Sequence, residues 1–344
     1  MAGLAAAARA RELGKTPVVL EKGTRPGGSM LLSSGVVWRH RSLEDFRAEC
    51  PSGDPALQTR IVEELDDALA WLESLGAEPV ARVTGNPLTV GKRFDTRELT
   101  DVLLRAAGDV RLGEPFRHAA ILATGGFGAR LARERGLLLR ANPWSEGDGL
   151  DYALARGASL TAGLNEFYGR ALPSGVDDRE YVSAAQVYAQ HALVLDDEGR
   201  DLGGAAWHES DLVQRLPGGR AWYVVDARAL RQSVRDRTVA ELVGAARAAG
   251  GDVRASEELP FTLPESPKLV EPPFVAVRVR AAVTHTIGGL RIDDRARVLD
   301  GDGHAVPGLH AAGADAGGIF TGGYGSGLAA ALVFGRIAAE TAQR

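Results

Sequence analysis

The sequence contains a single cysteine, Cys50, among its 344 residues. A lone thiol cannot form an intramolecular disulfide, and it has no partner for a CxxC redox pair or a zinc site built on cysteines. We therefore predict no resident metal and interpret Cys50 as a structural or surface thiol.

Long hydrophobic runs are also missing. No apolar segment approaches the ~18 residues that a membrane-spanning helix needs. Residues 1–14 carry no basic stretch ahead of their apolar part and become charged at Arg9, unlike a secretory signal. The sequence therefore predicts no membrane span and a cytoplasmic location.

Basic clusters are absent as well. The formal net charge is −5 and the pI is about 5.9, with acids and bases interspersed, so we predict no nucleic-acid partner. The composition, 45% hydrophobic and 25% charged, is typical of a globular protein. A chain of this length favours about two domains.

Glycine, in contrast, is abundant: there are 43, and they fall in clusters between regular elements. The hydrophobic pattern predicts helices over residues 4–13, 54–75, 147–155 and 328–340, and strands over residues 17–21, 119–124 and 275–280. Asp95, with Glu98 three residues later, predicts a capping box at one further helix. Residues 162–280 hold four of the six tyrosines and several turn-like segments, which indicates an inserted domain.

The N-terminal region has part of a dinucleotide-binding pattern. Such a site needs a strand, the motif GxGxxG, a helix facing the pyrophosphate and an acid on the ribose. Gly3 matches the last glycine and Glu21 the ribose acid, whereas the strand and first two glycines would precede Met1. A helix followed by a strand ending in Glu is common, so a purely structural interpretation stays open here.

Three further glycine-rich constellations follow. PGGSM and LLSSG, at residues 26–35, can wrap around a flat ring system. Two ordinary turns would have the same sequence pattern. ATGG at residues 123–126 follows a predicted strand, and its glycines allow the backbone to pass close to a ligand. A tight turn without a ligand is the alternative. HTIGGL, PGLHAAG and GGYGSG, between residues 285 and 327, lead into a helix start, whose free amides stabilise anionic groups. His285 stands where a substrate carboxylate or carbonyl could bind; a structural histidine is the alternative.

Together these segments resemble the flavoprotein family of fumarate reductases, succinate dehydrogenases, tricarballylate dehydrogenases and 3-ketosteroid dehydrogenases. The resemblance covers nearly the whole chain and rests on AGLAAA with VVLEKG, PGGSMLLSSG, ATGGF, GDG, HTIGGLRID and PGLHAAG. It implies an α/β fold with a discontinuous Rossmann-like FAD-binding domain over residues 1–161 and 281–344, its first strand missing from this sequence. An inserted α+β capping domain would span residues 162–280.

The resemblance also implies the chemistry: an FAD-dependent dehydrogenase or reductase that transfers hydride between flavin N5 and a CH–CH or C=C bond of an organic acid or ketone. HTIGGLRID and FYGRALP are most similar to the tricarballylate-type dehydrogenases. Covalent members place a histidine just before the first glycine pair, where this chain has GTRP, so noncovalent FAD is expected. The electron donor or acceptor stays open.

The family pattern carries over to particular residues. The expected FAD-binding residues are Gly3, Glu21, Lys22, Gly27, Gly28, Ser29, Ser33, Gly35, Ala123, Thr124, Gly125, Asp148, Gly313, Asp315, Ser326, Gly327 and Leu328. The expected catalytic residues are His285, which would bind the substrate acid, with Arg170, Tyr188 and Tyr324. Arg170 or Tyr188 would transfer the proton; Tyr168 and His208 also lie in the capping domain and could face the flavin.

Departures from the family pattern leave alternatives. Only residues 112–118 stand where the family carries a small β-meander, and Ala314 followed by Asp315 replaces the usual ribityl-binding Glu. Gly322 falls where dicarboxylate members carry an arginine, which argues against a simple dicarboxylate substrate. One alternative is a truncated, noncatalytic member that has lost FAD. A nicotinamide-dependent dehydrogenase is weaker, because it leaves the C-terminal glycine-rich helix start unexplained.

Overall fold

A computed structural model describes residues 1–116, 118–203, 212–234 and 236–342, so His208 lies outside the described residues. The α-helices of the described residues are α1 (Ala2–Glu12), α2 (Leu43–Glu49), α3 (Pro55–Ser74), α4 (Thr96–Ala107), α5 (Gly128–Arg135), α6 (Asp148–Leu154), α7 (Ala227–Leu230), α8 (Val239–Ala248) and α9 (Gly327–Thr341). None of them is long and apolar enough to cross a membrane.

The strands of the described residues are short, apart from one near the end of the chain. They are β1 (Val18–Glu21), β2 (Val36–His40), β3 (Pro79–Ala81), β4 (Thr89–Phe94), β5 (Asp109–Leu112), β6 (Ile121–Leu122), β7 (Leu138–Leu139), β8 (Phe167–Pro173), β9 (Leu193–Leu195), β10 (Arg220–Val225), β11 (Ser233–Val234), β12 (Arg237–Thr238), β13 (Val253–Ala255), β14 (Val275–Thr286), β15 (Arg297–Leu299) and β16 (Ala305–Ala311). The α/β fold class predicted from the sequence is confirmed.

The chain divides into two compact units. The first comprises residues 1–130, 141–167 and 285–344, and the second comprises residues 131–140 and 168–284. The sequence predicted boundaries after residues 161 and 280. Residues 131–140 fall in the second unit because β7 within them pairs in parallel with β14.

The first unit contains parallel strand pairs and one antiparallel sheet. Strand β1 pairs in parallel with β5, and β6 pairs in parallel with β16, which also pairs antiparallel with β15. Strands β2, β4 and β3 form the antiparallel sheet. In parallel pairs the carboxyl ends lie at one edge, so Glu21 and the ATGG turn each stand where such sheets bind ligands.

Local sequence signals explain the helices of this unit. Asp54 caps α3 by accepting hydrogen bonds from the amides of Ala56 and Leu57, with Pro55 at the first helical position. The predicted apolar face of α3 is buried, at Leu57, Ile61, Leu65, Leu69 and Leu72. Asp95 caps α4 through the amides of Arg97 and Glu98, so the predicted cap residue is confirmed. The reciprocal bond from the Asp95 amide to the Glu98 side chain is absent among the described residues, so the predicted capping box is only half formed.

Small residues let α1 approach α9 closely. Ala5 to Ala8 are buried on α1, and a Cβ at Gly335 on α9 would stand 2.7 Å from the carbonyl oxygen of Ala2. Helix α1 also packs against α4, and α9 against α3. The crossing of the N-terminal and C-terminal helices therefore depends on the absence of a side chain at Gly335.

The second unit is built on a mainly antiparallel sheet, in which β7 alone of the described strands pairs in parallel. Its strand order is β13, β14, β10 and β9, with β7 and β8 pairing with β14 beyond that path. Trp222 on β10 is buried beside Leu193, Leu195, Val224 and Ala276. Helix α8 begins with a capping box in which the Thr238 and Glu241 side chains accept each other's backbone amides.

Two helical glycines give a matched test of the helix crossing. Gly335→Ala should destabilise the protein by about 1–3 kcal/mol, because the new methyl group overlaps the Ala2 carbonyl. Gly244→Ala on α8 has nothing within 4 Å of the new Cβ, so it should stabilise by up to about 1 kcal/mol. Urea denaturation of both variants measures the difference, and an equal shift in both would contradict the close crossing.

Candidate active site

Asp315 joins three glycine-containing segments of the first unit. Its carboxylate accepts hydrogen bonds from the Thr124 hydroxyl (2.8 Å), from the Thr124 amide, and from the amides of Gly125 (3.3 Å) and Gly126 (3.2 Å). Its backbone carbonyl accepts from the amide of Leu290 at 2.8 Å. The sequence predicts that Asp315 contacts FAD. In the structure its carboxylate accepts four hydrogen bonds from the ATGG turn.

The environment of this carboxylate is closely packed. Asp315 is fully buried. Burial raises its pKa, while the hydrogen bonds from Thr124, Gly126 and Gly125 act in the opposite direction. A Cβ at Gly149 would stand 2.7 Å from the Thr124 hydroxyl and 3.0 Å from Asp315 Oδ1. The second glycine of the GDG motif therefore leaves the space that these two side chains occupy.

The end of β1 carries the predicted ribose-binding acid. Glu21 Oε1 accepts the amide of Gly23 at 2.7 Å, and Lys22 Nζ pairs with Asp148 Oδ2 at 2.8 Å. Gly3 on α1 is close to Ala123, because a Cβ at Gly3 would lie 3.4 Å from the Ala123 methyl group. The contact of Gly3 with Ala123 places α1 against the end of β6, and the ion pair joins the end of β1 to the start of α6.

The predicted ring-wrapping segment adopts backbone that only glycine enters readily. Gly27 has φ +102° and Gly28 has φ +55°. The Ser29 hydroxyl accepts the amide of Asn142 at 2.9 Å, which ties this segment to the one preceding α6. The Ser33 hydroxyl accepts the amide of Gly35 at 3.1 Å, where a Cβ would overlap the Phe94 carbonyl.

Helix α9 begins at the last glycine segment. Ser326 caps it by accepting the amide of Ala329 at 3.2 Å, and the Tyr324 hydroxyl accepts the amide of Gly327 at 3.2 Å. The first turn, which includes the half-buried Leu328, has no acidic residue. The positive end of the helix dipole therefore meets no carboxylate from its own first turn.

His285 lies against this helix start. A Cβ at Gly327 would stand 3.0 Å from His285 Nδ1, and the imidazole ring makes edge contacts with Phe320 and Tyr324, each at 6.0 Å between centroids. Burial lowers the pKa of His285 to about 4, so the imidazole is neutral at pH 7. The structure thus brings together two of the predicted catalytic residues, His285 and Tyr324, with the predicted cofactor residues Ser326 and Gly327.

The other two predicted catalytic residues belong to the second unit. Tyr188 is fully buried, its ring lies 5.8 Å from that of Tyr223, and its hydroxyl has no hydrogen-bond partner among the described residues. Burial raises the pKa of Tyr188 well above its ordinary value. Arg170 is half-buried, with its guanidinium 4.7 Å from the ring centroid of Tyr168.

Sequence reasoning missed several groups that hold the site. Glu166 accepts the amide of Gly322 at 2.9 Å, and Gln58 donates to the carbonyls of Cys50 (2.9 Å) and Ile319 (3.2 Å). The buried hydroxyl of Thr286 has no partner among the described residues and faces Gly126. The amphipathic pattern of α3 does not by itself point to Gln58. A glutamine on the apolar face of a helix is, however, a signal in the sequence for a buried polar side chain that needs hydrogen-bond partners.

Comparison with known proteins identifies the family. A family model of the FAD binding domain matches residues 1–111 and 100–327. The chain belongs to this FAD-binding family. The expectation of an FAD-dependent oxidoreductase that acts on CH–CH groups is thereby confirmed at the level of the family.

Individual relatives extend the likeness. A probable fumarate reductase, Ifc3 of Shewanella frigidimarina (strain NCIMB 400), is 25% identical over 438 aligned residues that span 100% of this chain and 73% of that protein. The open conformation of a flavocytochrome c3 fumarate reductase gives a TM-score of 0.70 at 23% identity, covering 99% of this chain and 76% of that chain. A 3-ketosteroid-Δ4-(5α)-dehydrogenase from Rhodococcus jostii RHA1 gives 0.67 at 17% identity, covering 100% and 95%. At these identities the two structures show the shared fold alone.

Substitution of Asp315 tests its place at the centre of the site. Asp315→Asn replaces one carboxylate oxygen by an NH2 group, which would face backbone N–H groups that are themselves donors. We therefore expect the free energy of unfolding to fall by about 1–3 kcal/mol and FAD retention to weaken. Thr124→Val, which removes one hydroxyl donor and keeps the acceptor, should have a smaller effect. Denaturation and flavin content after desalting measure both, and a larger effect of Thr124→Val would contradict this assignment.

Acid titration tests the half-buried imidazole of His285. With a pKa of about 4 in the folded chain against an ordinary value of about 6.5, His285 stays neutral where the unfolded chain takes up a proton. Above pH ~6.5 the imidazole is neutral in both states and costs no stability. As the pH falls from ~6.5 toward 4, only the unfolded chain takes up the proton, so the free energy of unfolding decreases. His285→Gln should therefore lose less stability than the parent chain between pH 7 and pH 4.5; parallel losses would contradict the assignment. His310, whose pKa burial also lowers, is present in both proteins.

Proposed function

We propose that this chain binds FAD noncovalently in its first unit and transfers hydride between the flavin and a CH–CH or C=C bond of a small organic acid or ketone. The observation that carries the proposal is the position of His285. A neutral imidazole packs on the first glycine of α9, beside a helix N-terminus whose first turn holds no acid. That arrangement offers hydrogen-bond donors and positive potential to a carbonyl or carboxylate group.

The residues of the first unit fit FAD. Glu21 at the end of β1 would hold the ribose, with Gly3 at the helix turn. The start of α9 would direct the positive end of its helix dipole toward the flavin ring. The unpartnered buried hydroxyl of Thr286 beside the ATGG turn is a polar group that a bound ligand would satisfy. Residues 23–26 offer no histidine, cysteine or tyrosine for a covalent flavin link. When bound, FAD supplies the hydride acceptor or donor at N5.

His285 would bind and polarise the substrate. Because the imidazole is neutral at pH 7, it can donate one N–H to a carbonyl or carboxylate oxygen without carrying a charge into the site. Phe320 and Tyr324 restrain its ring by edge contacts. Gly322 supplies no guanidinium for a second carboxylate, which favours a monoacid or a ketone over a simple dicarboxylate.

Tyr188 would hold the proton that accompanies the hydride. Its buried hydroxyl lacks a partner among the described residues, and burial keeps it protonated, as a general acid requires. In the reductive direction the phenol would give its proton to the substrate carbon next to the one that receives hydride. Arg170, stacked on Tyr168, is the other candidate for this role.

The cofactor proposal is tested on the purified full chain. We expect flavin absorption bands that survive desalting and a flavin that leaves the protein completely upon acid precipitation, as a noncovalent cofactor does. Flavin that remains in the acid pellet would contradict noncovalent binding, and a chain that never retains added FAD would contradict the proposal as a whole.

The catalytic proposal is tested by Tyr188→Phe. Loss of a positioned proton donor typically lowers kcat by about 10²–10⁴-fold, so turnover with an artificial electron acceptor should fall by at least ~100-fold while flavin content stays unchanged. Tyr181→Phe, at another buried tyrosine of the second unit, is the matched control and should keep near-parent turnover. Comparable rates for the two variants would move the role to Arg170.

A further inference from the structure

Trp144 lies beside the end of β1. The benzo part of its indole covers Gly23 so closely that a Cβ at Gly23 would overlap the ring. Gly23 follows Glu21 by two residues and donates its amide to that carboxylate. The indole is therefore an immediate neighbour of the acid expected to hold the ribose of FAD.

Backbone contacts hold Trp144 in this position. Its amide donates to Asn142 Oδ1 at 3.1 Å, and its carbonyl accepts the amide of Glu146 at 2.9 Å. The Asn142 amide in turn donates to the Ser29 hydroxyl, which anchors the segment to residues 28–32. The indole itself is half-buried, so part of it stays accessible from solvent.

A second aromatic side chain, on the helix that follows Trp144 in the sequence, has its ring already covered. Tyr152 on α6 carries the Arg156 guanidinium 3.4 Å from its ring centroid, and Phe116 meets it edge-on at 5.1 Å. Trp144 has no aromatic or cation–π contact among the described residues. Of these two side chains, Trp144 has the ring surface to offer a ligand.

We propose that Trp144 stacks on the adenine base of FAD and is a main source of affinity for the adenosine half of the cofactor. This inference rests on the proposed function. In open α/β sheets ligands bind beyond the carboxyl ends of the strands, and Glu21 at the end of β1 fixes where the adenosine lies. An indole already packed on Gly23 gives the base a flat apolar surface that needs no reordering upon binding.

The experiment compares four full-length proteins: the parent chain, Trp144→Phe, Trp144→Ala and Tyr152→Leu. After removal of flavin, each is titrated with FAD and, separately, with ADP, by calorimetry. We expect Trp144→Ala to bind both about tenfold or more weakly, since stacking of a base on an aromatic ring contributes about 1–3 kcal/mol and 1.4 kcal/mol is a factor of ten. Trp144→Phe keeps a flat ring and should stay within a few-fold, as should Tyr152→Leu.

Tryptophan fluorescence gives a readout that does not depend on the stability of the alanine variant. ADP should quench emission of the parent chain, and the quenching should vanish in Trp144→Phe. Equal quenching in both proteins, or FAD affinity of Trp144→Ala within twofold of the parent, would overturn the inference. A parent chain that binds neither FAD nor ADP would instead overturn the proposed function, so the two failures are distinguishable.

Discussion

The carboxylate of Asp315 is the constraint on which the first unit depends. It accepts three backbone amides and one hydroxyl from the turn after β6, and its own carbonyl fixes the HTIGG segment through Leu290. A buried carboxylate is expensive unless its lone pairs are satisfied, and here four donors satisfy them. Loops that are more than 100 residues apart in sequence are thereby fixed together, and the start of α9 follows them twelve residues later.

Much of the fold follows from local signals. The alanine-rich α1, the β-branched run of β1 and the apolar stripe of α3 give their elements directly, and Asp54 and Asp95 give the starts of two helices. His285 and the glycine-rich start of α9 are also recognisable in the sequence, because a histidine before a glycine pair and a helix that begins in a glycine-rich segment are both unusual patterns. In each case the signal spans a few residues of continuous sequence.

The rest depends on partners that no local pattern reveals. The glycine-rich sequence around Asp315 is typical of an acid that binds a ligand. Its hydrogen-bond donors are instead residues 124–126, which are far away in the chain. The same holds for Glu166 with Gly322 and for Gln58 with Ile319, which join segments more than 150 residues apart. Which acid meets which amide is decided by tertiary packing, and the sequence alone leaves several pairings equally compatible with its motifs.

The single thiol gives the molecule an internal reporter. Cys50 is fully buried, and a Cβ on Gly323 would lie 3.2 Å from its sulfur, so the glycine segment before α9 covers it. With no second cysteine in the chain, any reaction with a thiol reagent reports opening at this one place. The rate of that labelling therefore reports how often local opening at the junction of α2, α3 and the Gly323 segment exposes Cys50.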